Sequence, residues 1–144
     1  MKKTLIIIFV VFIIIMSILF MNLRKIQKIN LETRQFNSEY EFYNKEGLCG
    51  VDITTVINKA INNNEKYAIE KDSEGIYISD EEYSVNIYVT MIINKKTYPM
   101  ERIKQIGMET FTEFFGEVKF KCTDIKYHEK TGRIATMTFE SVEY

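Results

Sequence analysis

The sequence predicts an α+β protein: an N-terminal transmembrane helix continuing as a stalk, then a small head built on an antiparallel sheet of four or five strands with two short helices. Three observations carry that expectation. Thr4–Met21, TLIIIFVVFIIIMSILFM, is eighteen residues long, with no charge and only Thr4 and Ser17 polar. Tyr83, Val85, Ile87, Val89, Met91 and Ile93 are apolar at every second position, the period of a strand with one buried face. Ile53, Val56, Ile57, Ala60 and Ile61 recur at the spacing of three and four that marks one face of a helix.

Residues 1–3 form a short basic N-terminus, and residues 4–21 read as the membrane helix. At about 1.5 Å per residue, eighteen residues span about 27 Å, close to the hydrocarbon thickness of a bilayer. A cleaved export signal needs small residues at its exit, but the first Gly is Gly47 and the first Ala is Ala60. No Cys follows the apolar run closely enough for a lipid anchor. The expectation is therefore one uncleaved, single-pass signal-anchor. Its basic flanks are Lys2 and Lys3 on one side and Arg24, Lys25 and Lys28 on the other, with Arg34 beyond. Read literally, this tally slightly favours a cytoplasmic head. The two-lysine start running straight into the apolar segment instead has the form of an export signal, and an extracytoplasmic head is the expectation.

Residues 22–45 read as a helical stalk. Ile26, Ile29, Thr33, Phe36, Tyr40 and Tyr43 fall on one stripe of a helix that, counted from Thr4 to about Asn44, would be about 60 Å long. The stripe has two readings: a surface for a partner helix, or a seam packed on the chain's own sheet. Fewer than four heptads favour the second.

Residues 46–144 form the head. Gly47-Leu-Cys-Gly50 breaks the stalk, Asp52 is a natural N-cap for the helix carrying Ile53–Ile61, and Asn62–Asn64 end it. Ile76–Ile78 is a short strand candidate, followed by the long Tyr83–Ile93 strand and a short return over Thr97–Met100, where Pro99 suggests an edge. Ile103, Ile106, Phe111, Phe114 and Phe115 fit a helical face ending at Gly116, with Gly107 a weak point within it. Val118, Phe120 and Cys122 open a strand, Glu129–Gly132 reads as a hairpin connection, and Ala135, Met137 and Phe139 close the sheet.

Charge and chemistry narrow the function. Residues 1–34 carry six basic side chains against Glu32 alone, a net of +5, which suits anionic lipid headgroups. The remainder carries 13 Lys and Arg against 19 Asp and Glu, a net of −6, which argues against nucleic acid. His128, the one histidine, stands beside a hairpin turn and is expected at the surface. It lies six residues from Cys122, about 20 Å along an extended strand, so the two do not form a nucleophile pair. Cys49 with His128 stays geometrically open. Two cysteines and one histidine fall short of a four-ligand zinc site. Asp72, Glu74, Asp80, Glu81 and Glu82 lack the ligand spacing of a calcium loop and read as solvated turns. Glu101, Glu109 and Glu113 do not make an acid–base set, and no glycine loop cradles a phosphate. No catalytic constellation, metal site or cofactor site is expected, and the chain is not expected to be an enzyme. Cys49 and Cys122 leave two readings: a disulfide closing a loop of about 70 residues, or two small buried residues, both flanked by apolar alternation.

Gly50-Val-Asp-Ile-Thr-Thr-Val-Ile-Asn-Lys-Ala60 and Phe120-Lys-Cys-Thr-Asp-Ile-Lys-Tyr-His128 resemble segments of short single-span proteins of clostridia-like bacteria. The layout of membrane helix, stalk and small head is also similar to that of type IV pilin-like subunits. The chain departs from that pattern in having no Gly or Ala before the apolar run and no Glu within it. The resemblance implies a bacterial cell-envelope setting, with the bilayer and other envelope proteins as partners. The expected function is a non-enzymatic, membrane-tethered interaction module, an accessory of a secretion or pilus-like assembly. A cytoplasmic sensor head is the alternative, and a small-ligand binder or enzyme comes third.

Overall fold

With no glycine or proline before Gly47, nothing in the first forty residues stops a helix, and α1 runs Lys2–Glu41. The structure, a computed structural model, describes residues 2–142; within the first turn of α1 the side chains of Lys2, Thr4 and Leu5 lie outside the described residues, and so does the flanking charge expected at Lys2. The chain divides into two units, Met1–Gln35 and Phe36–Tyr144.

The first unit is helical and is long and apolar enough to cross a membrane. From Ile6 to Met21 its large apolar side chains are exposed on every face, from 48% at Ile13 to 71% at Met21. Ser17 sends its hydroxyl to the carbonyl of Ile13 at 2.8 Å, satisfying a polar group within the helix. Lys3, Arg24, Lys25 and Lys28 are exposed; the Arg24 guanidinium lies 4.4 Å from the Phe20 ring centroid and Lys28 pairs with Glu32 at 3.8 Å.

The second unit begins at Phe36, nine residues upstream of the limit expected for the stalk, and holds the α+β fold. The last turns of α1 belong to it because Tyr40 is fully buried and Phe36 half-buried against its core. The stripe therefore divides. Tyr40 and Tyr43 are buried in the head's hydrophobic core and Phe36 packs against that core, whereas Ile26 and Ile29 are exposed.

After the short strand β1 (Glu46–Leu48) comes α2 (Gly50–Lys66). Its N-cap is Cys49 rather than Asp52, which stands at N3 and accepts the Cys49 backbone N–H at 2.8 Å. Gly50 is required at the first helical position. Its N–H donates to the Gly116 carbonyl at 2.9 Å, and a Cβ there would fall 2.0 Å from the Phe115 carbonyl oxygen. At the other end Asn64, fully buried, takes the Val85 N–H on its Oδ1 at 2.8 Å and donates from Nδ2 to the Val85 carbonyl at 2.9 Å. That two-point clamp fixes α2 to the start of the first long strand. The stretch Ile76–Ile78 makes only an isolated bridge, Lys71 to Tyr77.

The remaining elements are β2 (Asn86–Met91), β3 (Lys96–Pro99), α3 (Met100–Ile106), α4 (Met108–Phe115), β4 (Phe120–Tyr127) and β5 (Ile134–Ser141). The strand order is β1-β4-β5-β2-β3. The sheet is mixed, not wholly antiparallel: β2 and β5 run parallel, with Ile87 opposite Met137 and Val89 opposite Phe139. A β4–β5 hairpin delivers β5 beside β2 in the same direction, after the β3–α3–α4 segment has crossed. Ile87, Val89 and Met91 face the core with Met137 and Phe139, and α2 and α3 pack on β2.

Two short helices were expected in the head where three form among the described residues, because the 100–116 segment breaks at Gly107. Its φ of +105° is a backbone conformation that side-chain-bearing residues rarely adopt. The break turns the chain between α3 and α4, so Ile103 and Phe111 both reach the core.

Candidate functional site

A cleft of about 280 Å³ opens between the β2–β3 hairpin and the α3–α4 pair. Alternation along β2 points Val89 and Met91 into it; the helix period of α3 adds Ile103, and the turn at Gly107 lets α4 add Phe111 and Phe115. Val89, Ile103, Phe111 and Met91 are buried and form its floor. The rim is different: Ile93 is 89% exposed and Ile106 58% exposed. The polar groups of the lining are Asn94 and Tyr98. Asn94 Nδ2 donates to the Tyr98 hydroxyl at 2.9 Å, and the Asn94 Oδ1 accepts the Lys96 backbone N–H at 3.0 Å. A second hollow of about 230 Å³, floored by Val118 and edged by Val142, shares Met91, Ile93 and Phe115 with the first. Sequence reasoning missed the cleft, although Ile93, Ile106, Phe111 and Phe115 all stood in its apolar periodicities. Those periodicities place residues on faces, not around a gap between faces.

The charged centre of the head is Arg133, 7% exposed. Its guanidinium lies 3.8 Å from the Phe36 ring centroid, 5.1 Å from that of Tyr67 and 5.2 Å from that of Tyr83. The Tyr67 and Tyr83 rings stack at 4.5 Å. Nη1 donates to the Tyr67 hydroxyl at 3.3 Å and Nη2 to Asn63 Oδ1 at 3.2 Å, while Nε has no hydrogen-bond partner among the described residues. Ring faces therefore supply the negative potential that a carboxylate usually gives a buried cation. This cage is filled by the chain's own side chain and holds the fold together.

The groups with chemical potential lie apart. His128 is 7% exposed, not at the surface: its Nε2 meets the Ser84 carbonyl at 2.8 Å and its backbone brackets the hairpin turn. The turn folds back on the Asp80–Ser84 loop, where Thr131 donates to the Glu82 carbonyl, and so covers the ring. Cys49 and Cys122 are both free, and no disulfide joins them. The Cys49 thiol donates to Asp52 Oδ2 at 3.0 Å, and the Cys122 thiol contacts the Asp124 carbonyl at 3.7 Å, with burial pushing its pKa up. An unactivated, half-buried thiol of raised pKa is a poor nucleophile. Neither cysteine bonds His128.

Among the carboxylates, Glu101 is buried and accepts the Tyr77 N–H at 3.0 Å, while Glu109 and Glu113 are exposed. Asp72 accepts the backbone N–H of Glu74 and Ile76, and Asp80 those of Glu82, Tyr83 and Ser84, so both acids organise turns. Glu81 pairs with Lys130. No group of three or more His, Cys, Asp or Glu among the described residues has the arrangement of a metal site. What the head offers is a hydrocarbon-lined concavity with one polar edge.

Set against protein-family models, curated proteins and solved structures, the chain matches none.

Proposed function

We propose that this chain is a membrane-tethered binding module, held by one uncleaved span, with its head outside the cytoplasm and its work done by holding a ligand or a partner. The observation that carries the tether is the Ile6–Met21 stretch of α1, apolar and exposed around its whole circumference. Fifteen exposed apolar side chains in water would present a hydrophobic surface far larger than soluble proteins tolerate, and a bilayer removes it. Binding rather than catalysis is supported by the character of the head's cleft, whose lining is hydrocarbon with only Asn94 and Tyr98 polar. The bilayer and other membrane proteins are the proposed company; nucleic acid is a poor partner for a head of net negative charge.

Protease treatment of intact protoplasts carrying a C-terminally tagged protein tests the reading. Loss of the tag while a cytoplasmic control survives supports an external head. Protection until the membrane is lysed overturns that placement and moves the head to the cytoplasm, the side that Arg24, Lys25, Lys28 and Arg34 favour in a literal charge tally. Release of the protein into the medium overturns the tether itself.

A further inference from the structure

We infer that the cleft between the β2–β3 hairpin and α3–α4 binds one hydrocarbon chain of an anionic amphiphile, with its carboxylate or phosphate end at Tyr98 and the Lys95–Lys96 turn. The inference stands whichever side of the membrane the head occupies.

Size sets the tail. An apolar cavity of about 150 Å³ accommodates a benzene ring. At about 280 Å³ this cleft has room for roughly ten to twelve carbons, and the adjoining hollow past Phe115 extends the path. The floor of Val89, Ile103 and Phe111 offers such a chain dispersion contacts and no hydrogen bonds. A polar ligand would lose its hydration there without replacement.

The rim sets the head group. The Tyr98 hydroxyl already accepts a hydrogen bond from Asn94 Nδ2, and its own proton remains to be donated. Asn94 is itself fixed by the Lys96 N–H, so the acceptor that holds Tyr98 does not wander. Lys95 closes the same turn and Lys96 opens β3; both are exposed, and neither ammonium is paired with a carboxylate among the described residues. An O–H donor in the lining, with two cations one and two residues beyond the lining residue Asn94, is complementary to an anion attached to a hydrocarbon. The 89% exposure of Ile93 at that mouth fits as well, because an apolar side chain there gains burial against the part of a ligand chain that emerges.

Two sources share this chemistry: a free fatty acid, and an acyl chain of an anionic phospholipid leaning out of the bilayer. The experiment uses the full chain in phosphatidylcholine nanodiscs with three diazirine probes in turn: a twelve-carbon fatty acid, an anionic phosphatidylglycerol carrying the same chain, and the twelve-carbon alcohol. Cross-linked residues are mapped by peptide mass spectrometry. The expected result is saturable labelling of Met91, Ile93 or Phe115, competed by unlabelled dodecanoate for the free acid or by unlabelled phosphatidylglycerol for the lipid. Whichever anionic probe labels identifies the source. Labelling should vanish in Ile106→Trp, which fills the rim at an already exposed position. The double variant Lys95→Glu/Lys96→Glu should weaken labelling by the anionic probe about threefold to tenfold, the worth of one or two exposed ion pairs, and leave the alcohol unaffected. Labelling confined to residues 4–21, labelling that no competitor reduces, or undiminished labelling of Ile106→Trp overturns the site. Equal labelling by alcohol and acid overturns the anionic end.

Discussion

The guanidinium of Arg133 lies 3.8 Å from the centroid of the Phe36 ring, joining the last turns of α1 to the hairpin that opens β5, across 97 residues of sequence. Tyr67 and Tyr83 complete the enclosure, and Asn37 seals it by donating to the Gly132 carbonyl and accepting the Ile134 N–H. Replacing Arg133 by Ala removes the ring contacts and two hydrogen bonds and leaves a hole. The expected cost is about 3–4 kcal/mol. Arg133→Lys keeps the charge but loses the planar fork, at about 1–2 kcal/mol. Urea unfolding followed by tyrosine fluorescence, in a chain of nine Tyr and no Trp, measures both. Equal stability of Ala and wild type would show that the cage is decorative.

Asn64 makes the second long-range tie. Both polar atoms of its buried amide are matched to the two backbone groups of Val85. Asn64→Ala leaves those groups unpaired in the core and should cost about 2–4 kcal/mol. Asn64→Asp should be no milder, because a carboxylate oxygen replaces the donor that faces the Val85 carbonyl. Amide exchange at Val85 is the local readout, and it should accelerate in both variants.

The Tyr40 hydroxyl is buried without a hydrogen-bond partner among the described residues, and burial pushes its pKa well above the usual phenol range. Tyr40→Phe removes an unsatisfied polar atom while keeping the ring that tilts on Phe36 at 5.1 Å. This substitution should leave stability unchanged or raise it by up to about 1 kcal/mol. A fall of 1 kcal/mol or more would mean that the hydroxyl has a partner.

Asp52 and Asp80 should make the head sensitive to acid. Burial alone would raise both carboxyls, but it is outweighed, by the thiol and N–H of Cys49 at Asp52 and by the Ser84, Tyr83 and Glu82 N–H groups at Asp80, so both sit below the usual carboxylate range. A carboxyl whose folded pKa is depressed contributes stability above its unfolded pKa of about 3.9 and loses it as pH falls through the folded value. The melting temperature of the wild type should therefore drop more steeply below about pH 4 than that of Asp80→Asn or Asp52→Asn. Parallel curves for wild type and variants would refute the assignment.

Much of the head is legible one element at a time. The Tyr83–Ile93 alternation contains β2, though only Asn86–Met91 of it pairs as strand, the Ile53–Ile61 stripe lies on α2, and Glu129–Gly132 is the turn between β4 and β5. Each of these signals is local, a period or a turn read within a dozen residues. The parallel pairing of β2 with β5 has no such signal, since it links Ile87 to Met137 through everything between them. The cleft was hidden for the same reason: Val89 and Phe111 each read as core residues, and only their separation makes a cavity. His128 was misread because a hairpin neighbour is ordinarily exposed, and here another loop covers it.

By itself, then, the sequence determined the apolar N-terminal helix, the α+β class and the main periodic elements, because each follows from side-chain spacing and from where Gly and Pro interrupt it. Tertiary structure alone decided that the stripe splits between exposed Ile26 and Ile29 and buried Phe36 and Tyr40, that Arg133 is held by ring faces, that Cys49 and Cys122 stay apart as free thiols, and that a hydrocarbon-lined gap remains beneath Ile93. Those outcomes depend on which distant faces meet, and burial energy is settled between partners that the local pattern does not name.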